Sequence, residues 1–315
     1  TNTTATSNIA VGDSALRCNT TGAQNVAIGQ SALFTNTTCG NLTAVGYGAL
    51  CTNSTGTNNT AIGHASLDAN TSGSANIALG TDALGANTSA GEGTAVGYHA
   101  LCANTTGGSN TAVGMRALCA NTTASHNTAI GCGAMVTNIT GLENTAVGSE
   151  SLKLNTTGNC NVAIGRQASC ANTTGANNTA VGVLALRVNT TGANNVAVGK
   201  DALLENTTAS DNVAVGYKAL QENTTGSDNT AVGFCALKTN TTGATNTAMG
   251  YQSLTSNTTA SSNTAYGYKS LVLTTTGCQN TAVGKDALSC NTTGNYHAGF
   301  GHGAAKCNTT GTDNT

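Results

Sequence analysis

The chain has 315 residues and a formal net charge of −2, and only 8% of its residues are charged. This composition excludes the basic surface that nucleic-acid binding requires. There is no Pro or Trp and only 3% of residues are aromatic, so a core built from large rings is excluded as well. No apolar run reaches the roughly 18 residues that a membrane-spanning helix needs. We therefore expect neither a nucleic-acid partner nor insertion of this stretch into a membrane.

A glycine recurs every 17 residues from Gly12 to Gly301, without insertion or deletion. A fixed period of this length indicates a solenoid, and 17 residues are too few for two helices and a turn. We predict an all-β fold, a parallel β-solenoid (β-roll or β-helix) of 18 tandem 17-residue repeats with one coil per repeat. Residues 1–315 are expected to form a single repeat region, a window of a longer repetitive chain, because the sequence begins and ends within a repeat.

Positions in each repeat are numbered here from its glycine, which is position 0. A strand is predicted at −3 to −1, as in Thr230-Ala231-Val232, because β-branched residues flank an alanine there. Side chains alternate between the two faces of a strand. We predict that the branched residues at −3 and −1 point into the coil, together with the leucine at +4.

Alanine occupies position −2 from Ala10 to Ala282, and glycine replaces it at Gly299. A position that accepts nothing larger than a methyl group is packed closely against something. Two alternatives are open, the opposite wall of a thin coil or another chain, and the second is favoured. The predicted packing and assembly face is formed by Ala27, Ala44, Ala61, Ala78, Ala95, Ala112, Ala129 and Ala146.

Asparagine at +7 is followed by Thr or Ser at +9 in nearly every repeat, and Thr274 is the single replacement of the asparagine. This pattern is the N-glycosylation sequon, but it also suits a ladder of hydrogen-bonded amides at a turn. A second asparagine row at −4, as at Asn110, is followed by Thr-Ala and is no sequon, which favours the ladder. The asparagines predicted to be a ladder or to carry glycans are Asn19, Asn36, Asn53, Asn70, Asn87, Asn104, Asn121, Asn138, Asn155, Asn172, Asn189, Asn206, Asn223, Asn240, Asn257, Asn291 and Asn308.

Several of the twelve cysteines fall at matching positions of consecutive repeats. Equivalent residues on neighbouring coils lie about 4.8 Å apart, close to the usual Cα separation of a disulfide. We predict disulfides, which would indicate an oxidising, extracellular location. No Cys-X-X-Cys motif occurs, so no zinc site is predicted. The predicted pairs at matching positions are Cys102 with Cys119 and Cys290 with Cys307. Cys39 with Cys51, and Cys160 with Cys170, lie at a turn and in the second segment of the next repeat, and are predicted to bridge if those corners approach.

The histidines and carboxylates are scattered over different repeat positions. Catalysis needs unlike groups that converge on one place. We therefore predict no enzymatic activity, no cofactor and no metal. The tyrosines at +1, such as Tyr217 and Tyr251, are interpreted as an intermittent surface feature.

The phrase Asn-X-Ala-Val/Ile-Gly, with Ala or Ser three residues later, occurs in residues 25–29 with Ala32 and in residues 161–165 with Ala168. It resembles the head repeats of YadA-like trimeric autotransporter adhesins and is similar to repeats of phage and viral tail-fibre-like proteins. The resemblance covers every repeat but only about half of each. It implies a left-handed parallel β-roll that trimerises along one sheet face on a cell or virion surface.

We predict a non-catalytic rod, the structural subunit of an extracellular fibre or filament that self-associates as a homotrimer or end to end. An adhesin or receptor-binding surface or tail fibre is the alternative, and it would concentrate aromatic or charged residues in one place. An ice-binding β-solenoid is a more remote alternative, suggested by the threonine rows at +8 and +9.

Overall fold

The computed structural model describes residues 4–314 of the chain. These residues form 18 three-residue strands joined by turns, and no helix among them could span a membrane. The chain divides between Asn159 and Cys160 into two compact units with nine strands each. The predicted all-β solenoid with 17 residues per coil is confirmed. The prediction of a single repeat region stays a prediction.

The strands occupy positions −3 to −1 of each repeat, as predicted. Unit 1 contains β1 Ile9–Val11, β2 Val26–Ile28, β3 Thr43–Val45, β4 Thr60–Ile62, β5 Ile77–Leu79, β6 Thr94–Val96, β7 Thr111–Val113, β8 Thr128–Ile130 and β9 Thr145–Val147. Unit 2 contains β10 Val162–Ile164, β11 Thr179–Val181, β12 Val196–Val198, β13 Val213–Val215, β14 Thr230–Val232, β15 Thr247–Met249, β16 Thr264–Tyr266, β17 Thr281–Val283 and β18 Ala298–Phe300.

Within each unit every strand pairs in parallel with the next, shifted by one repeat, so that Ala112 lies opposite Ala129. The inter-coil bonds continue outside the strands. The Leu33 amide donates to the carbonyl of Ala49 at 3.1 Å, and the Thr71 amide to that of Thr88 at 2.8 Å. Because these bonds recur around the coil, three-residue strands are sufficient to stack it on its neighbours.

The strand face that points into the coil is the opposite of the predicted one. Ala129 at −2 is completely buried, whereas its neighbour Ile130 at −1 is 39% exposed. The interior is filled by the residues at +3 and +4, such as Ala117 and Leu118, which are also fully buried. One leucine per coil leaves room for a methyl group opposite it but not for a branched side chain. The branched residues at −3 and −1 therefore face outward.

The alanines at −2 are buried within one chain, so the thin-coil alternative is the observed one. Their predicted role as an assembly face is wrong, because a fully buried methyl group presents no surface to another chain. The eight predicted alanines, all fully buried, are Ala27, Ala44, Ala61, Ala78, Ala95, Ala112, Ala129 and Ala146.

Two backbone features fix the shape of each coil. Gly114 has φ +133°, and a Cβ on it would lie 2.6 Å from the carbonyl oxygen of Gly131 in the next coil. Only glycine fits this position. Leu118 at +4 adopts a left-handed φ of 51°, which costs about 1–2 kcal/mol. Complete burial of a leucine side chain is worth about 1.5–3 kcal/mol, enough to offset that cost.

Candidate functional site

The asparagines at +7 form a ladder inside the coil. The Nδ2 of Asn121 donates to the Oδ1 of Asn104 in the preceding coil at 2.8 Å, and to the carbonyl of Ala124 in its own coil at 2.9 Å. Its own Oδ1 accepts from the Nδ2 of Asn138 at 3.1 Å. Amides with this pattern are satisfied although they are buried.

The second asparagine row, at −4, meets the first at a shared carbonyl. Asn110 Nδ2 donates at 2.7 Å to the Ala124 carbonyl, the same oxygen that accepts from Asn121. Asn110 Oδ1 accepts the backbone amide of Asn127 at 2.9 Å. Both rows therefore tie each coil to the next from the inside.

Burial argues against the glycan alternative for the asparagines at +7. The Nδ2 atom that an N-glycan would occupy is buried and already donates, as in Asn70 to Asn53 Oδ1 at 2.9 Å and to the Gly73 carbonyl at 3.0 Å. Attachment at such a position would replace one of the two N–H donors, remove its hydrogen bond and require space inside the coil. The structure therefore supports the ladder, and glycosylation at these buried positions does not fit the folded chain. Asn308, in the last coil, is only half-buried.

The ladder is interrupted where Thr274 replaces asparagine. The Thr274 hydroxyl donates to the Asn291 carbonyl at 3.2 Å. It does not reach the preceding coil, so the buried Oδ1 of Asn257 has no hydrogen-bond partner. The Oδ1 of Asn291 also has none.

His297 explains the second unpaired oxygen. It replaces the asparagine at −4 and reproduces its pattern, since Nδ1 accepts the Asn314 amide at 3.3 Å and Nε2 lies 2.7 Å from the Gly311 carbonyl. The Nδ2 of Asn308 lies 2.8 Å from His297 Nε2, and no bond joins it to Asn291.

The structure brings together the first of the predicted cysteine pairs. The Sγ atoms of Cys102 and Cys119 are 2.6 Å apart, and both residues are thiols. Cys39 instead directs its Sγ toward the Ser54 carbonyl at 3.2 Å, although Cys51 was its predicted partner. The predicted bridge between Cys102 and Cys119 has its two sulfur atoms close together, and both predicted bridges stay predictions.

The other two predicted pairs lie in unit 2 and are more exposed. Cys290 is half-buried and Cys307 exposed, and a bridge between them stays a prediction. Cys160 is exposed and Cys170 half-buried. A bridge between these last two stays a prediction.

The close contact shifts the pKa values of the Cys102 and Cys119 thiols in opposite directions. The hydrogen bond from Cys102 lowers the pKa of Cys119 to about 6, and Arg116 lowers it further by a hydrogen bond and by its charge, against the effect of burial. The same bond, burial and the Asp82 carboxylate raise the pKa of Cys102. The two pKa shifts have opposite directions because the thiols share one hydrogen bond.

A carboxylate and an imidazole join this pair, although the sequence analysis predicted no such convergence. Asp82 Oδ2 lies 3.6 Å from His99 Nε2. One ligand atom each of Asp82, His99 and Cys102 lie within 4.8 Å of one another, and all three residues are half-buried. We call Asp82, His99, Cys102 and Cys119 the Asp-His-Cys cluster. A linear motif could not reveal it, because its members are 17 or 3 residues apart; their shared coil positions, +2 and +5, were the available signal.

Unit 2 carries a different surface feature, an aromatic stripe at +1. The rings of Tyr217, Phe234, Tyr251 and Tyr268 stack on consecutive coils with centroids 5.2–5.3 Å apart. The interpretation of this row as intermittent is therefore wrong here, because Phe234 fills the gap between the tyrosines. A lysine ammonium lies near the ring at each end, 6.0 Å from the Tyr217 centroid for Lys200 and 5.8 Å from the Tyr268 centroid for Lys285.

A shallow surface depression of about 270 Å³ lies on unit 1, lined by residues that include Met115, Arg116, Cys132, Glu150 and Lys153. Its Lys153 ammonium and Glu150 carboxylate are paired with each other at 2.7 Å. The depression therefore resembles ordinary ion-paired surface more than a catalytic cleft.

No protein-family model matches the chain, and no curated protein is significantly similar to it in sequence. The resemblance to adhesin head repeats therefore stays a prediction from the residues.

Proposed function

We propose that the chain is a non-catalytic structural subunit of an extracellular fibre or filament whose copies associate through the outward face of the strands. The observation that carries this proposal is the exposed apolar row at −1. In unit 1 it includes Ile28, Ile62, Leu79 and Ile130, each 37–41% exposed. Contiguous exposed apolar surface on a soluble protein marks an interaction site.

The chemistry of this face suits contact between identical copies. The row at −3 adds half-buried Thr and Val side chains, and none of the strands contains a charged residue. Two copies can therefore approach without repulsion between like charges. The association could be a side-by-side trimer, as the resemblance to adhesin heads implies, or another side-by-side packing.

The extracellular location in this proposal depends on the resemblance to surface-adhesin repeats. The cysteine argument for it is weaker than expected, because Cys102 and Cys119 are thiols. Mapping of disulfides in native, non-reduced protein would restore that argument if Cys102 and Cys119 are joined.

A second candidate, an adhesin or receptor-binding fibre, is supported by the aromatic stripe of unit 2. A binding surface should concentrate aromatic residues, and Phe234 and Tyr251 lie in the middle of four consecutive stacked rings. Glycan-array binding by the wild-type chain, with loss in Phe234→Ala/Tyr251→Ala, would favour this candidate. Binding that the double substitution leaves unchanged would count against it.

The ice-binding alternative receives less support. The threonines at +8 and +9 lie in a turn, and those at +8 use their hydroxyls for the next coil, as Thr71 Oγ1 does toward the Thr88 carbonyl at 2.9 Å. Only the row at +9 has generally exposed side chains. A paired array of free hydroxyls is therefore not present at these positions.

The fibre proposal is tested by placing charge on the proposed contact face. Ile62→Glu/Ile130→Glu should convert an oligomer of the wild-type chain into monomers, measured by sedimentation equilibrium, with an unchanged far-UV circular dichroism spectrum. The matched control is Thr106→Glu/Thr123→Glu, which adds the same charge at the exposed position +9 in the same unit and should leave the oligomer intact. A monomeric wild-type chain, or equal behaviour of the two variants, would overturn the proposal.

A further inference from the structure

The Asp-His-Cys cluster is assembled from three consecutive coils of unit 1. Asp82 and His99 both occupy position +2, where their backbones are left-handed, with φ 56° and 54°. Cys102 follows His99 at +5 of the same coil, and Cys119 occupies +5 of the next. The stacking of coils therefore brings a carboxylate, an imidazole and two thiols to one surface.

We propose that this cluster binds one Zn²⁺ ion through Asp82, His99, Cys102 and Cys119. Zinc accepts carboxylate oxygen, imidazole nitrogen and thiolate sulfur in tetrahedral sites. Calcium and magnesium prefer oxygen ligands alone, so the mixed donor set selects a borderline-soft ion. Both thiols lose their protons when they bind the metal.

Three of the four ligand atoms already lie together: one atom each of Asp82, His99 and Cys102 are within 4.8 Å of one another, and Cys119 lies outside this group and must move toward it. Zinc–ligand bonds of 2.0–2.3 Å place neighbouring ligand atoms about 3.3–3.8 Å apart. Asp82 Oδ2 and His99 Nε2 are already 3.6 Å apart. The Cys102 and Cys119 sulfur atoms, at 2.6 Å, need to separate by about 1 Å to reach this range. All four side chains lie on the surface, where such a rotation displaces no core residue.

Two neighbours hold the oxygen and nitrogen ligands in place. Position +5 of the coil that carries Asp82 is Gly85, and a Cβ there would collide with Asp82 Oδ1. The absence of a side chain at Gly85 thus leaves room for the Asp82 carboxylate. The His99 ring stacks on Tyr98 with centroids 4.0 Å apart, which limits its rotation. Neighbouring groups that orient metal ligands commonly affect metal affinity.

The site is tested with Co²⁺, which substitutes for zinc and is visible by absorption. Co²⁺ is added to the full chain under a phosphine reductant, so that the thiols stay reduced. The expected spectrum has the visible bands of tetrahedral cobalt and a near-ultraviolet thiolate-to-cobalt band. Both should saturate at one ion per chain and disappear when Zn²⁺ is added. No thiolate band in the reduced wild-type chain would overturn the proposal.

Variants assign the ligands. His99→Ala and Cys102→Ser should abolish the tetrahedral spectrum, and Cys119→Ser should lower the thiolate band by about half. Gly85→Ala should weaken cobalt binding by about 10-fold or more, the range found when groups that orient ligands are removed. Each variant should keep the wild-type circular dichroism spectrum, because the four side chains are only half-buried.

The matched control is Cys290→Ser/Cys307→Ser, which removes another pair of thiols from consecutive coils and should bind cobalt like the wild-type chain. Retention of the full spectrum by His99→Ala, or its loss in this control, would overturn the assignment. A second measurement uses iodoacetamide. Bound Zn²⁺ should protect Cys102 and Cys119 from alkylation, and modification of both at saturating zinc would contradict the proposal.

Discussion

The asparagine row at +7 is continuous in unit 1 but is interrupted in unit 2. From Asn36 to Asn155 each amide of unit 1 donates to the asparagine of the preceding coil, at 2.8–3.5 Å. In unit 2 Thr274 breaks this chain of bonds and leaves the Oδ1 of Asn257 unpaired. The hydroxyl of threonine is too short to replace an amide that spans two coils.

The backbone of the coil is unaffected by this break. Thr264 and Thr281, in the strands on either side of Thr274, still pair in register. The amide of Thr275 still donates to the Thr292 carbonyl at 2.9 Å. Backbone hydrogen bonds between neighbouring coils are therefore sufficient to maintain the path of the chain. The asparagine row adds stability and can be lost at one position.

The first prediction concerns the alanine row at −2, which cannot be interrupted in this way. Ala112→Leu/Ala129→Leu/Ala146→Leu should unfold unit 1, because each overpacked site costs about 1–3 kcal/mol and the three are adjacent. Thermal unfolding followed by circular dichroism measures the effect. The matched control places the same residues one position earlier, in the outward row, as Thr111→Leu/Thr128→Leu/Thr145→Leu. If both triple variants melt together, the assignment of the inward face is wrong.

The second prediction compares the loss of stability when an asparagine is removed from the continuous row of unit 1 with the loss when one is removed beside the interruption in unit 2. Asn121→Ala should destabilise the chain by about 2–4 kcal/mol, because it removes three hydrogen bonds and leaves buried partners unpaired. Asn291→Ala should cost only about 1–2 kcal/mol, since its Oδ1 is already without a partner. Hydrogen exchange of peptides that contain each site measures the local difference. An equal loss at both sites would show that the interruption has no energetic consequence.

The third prediction repairs the interruption. Thr274→Asn should stabilise unit 2 by about 1–2 kcal/mol, because its amide can pair the buried Oδ1 of Asn257. The reciprocal change, Asn121→Thr, should reproduce the defect in unit 1 with a similar loss. The denaturation midpoints of the two variants should therefore move in opposite directions. A decrease for Thr274→Asn would mean that the coil at this position has no room for the amide.

The smallest effect concerns reactivity rather than stability and contrasts one cysteine from each unit. Cys119 has its pKa lowered to about 6 by the hydrogen bond from Cys102 and by Arg116. Burial raises the pKa of Cys235. Because only the thiolate is alkylated, iodoacetamide should modify Cys119 at pH 7. The rate of this modification should decrease as the pH falls through 6. Cys235 should react only at higher pH. Mass spectrometry of the labelled peptides measures both rates, and faster labelling of Cys235 at pH 7 would contradict the assignment.

The sequence alone determined the period and the strand positions. A 17-residue spacing without insertions places equivalent residues on equivalent points of each coil. The register of Ala112 with Ala129 could therefore be predicted before any coordinates. The structural role of the asparagines could also be predicted, because the row at −4 persists where no sequon exists, as at Asn110.

Only the tertiary structure decided which side of each strand faces inward. Alternation gives a strand two faces, but the volume left by Leu118 on the opposite wall determines whether Ala129 or Ile130 fills the interior. The Asp-His-Cys cluster could not be predicted from the sequence either, because it also depends on how the coils stack. Its four side chains become neighbours only when coils stack, because residues 17 apart in sequence then lie a few ångströms apart in space.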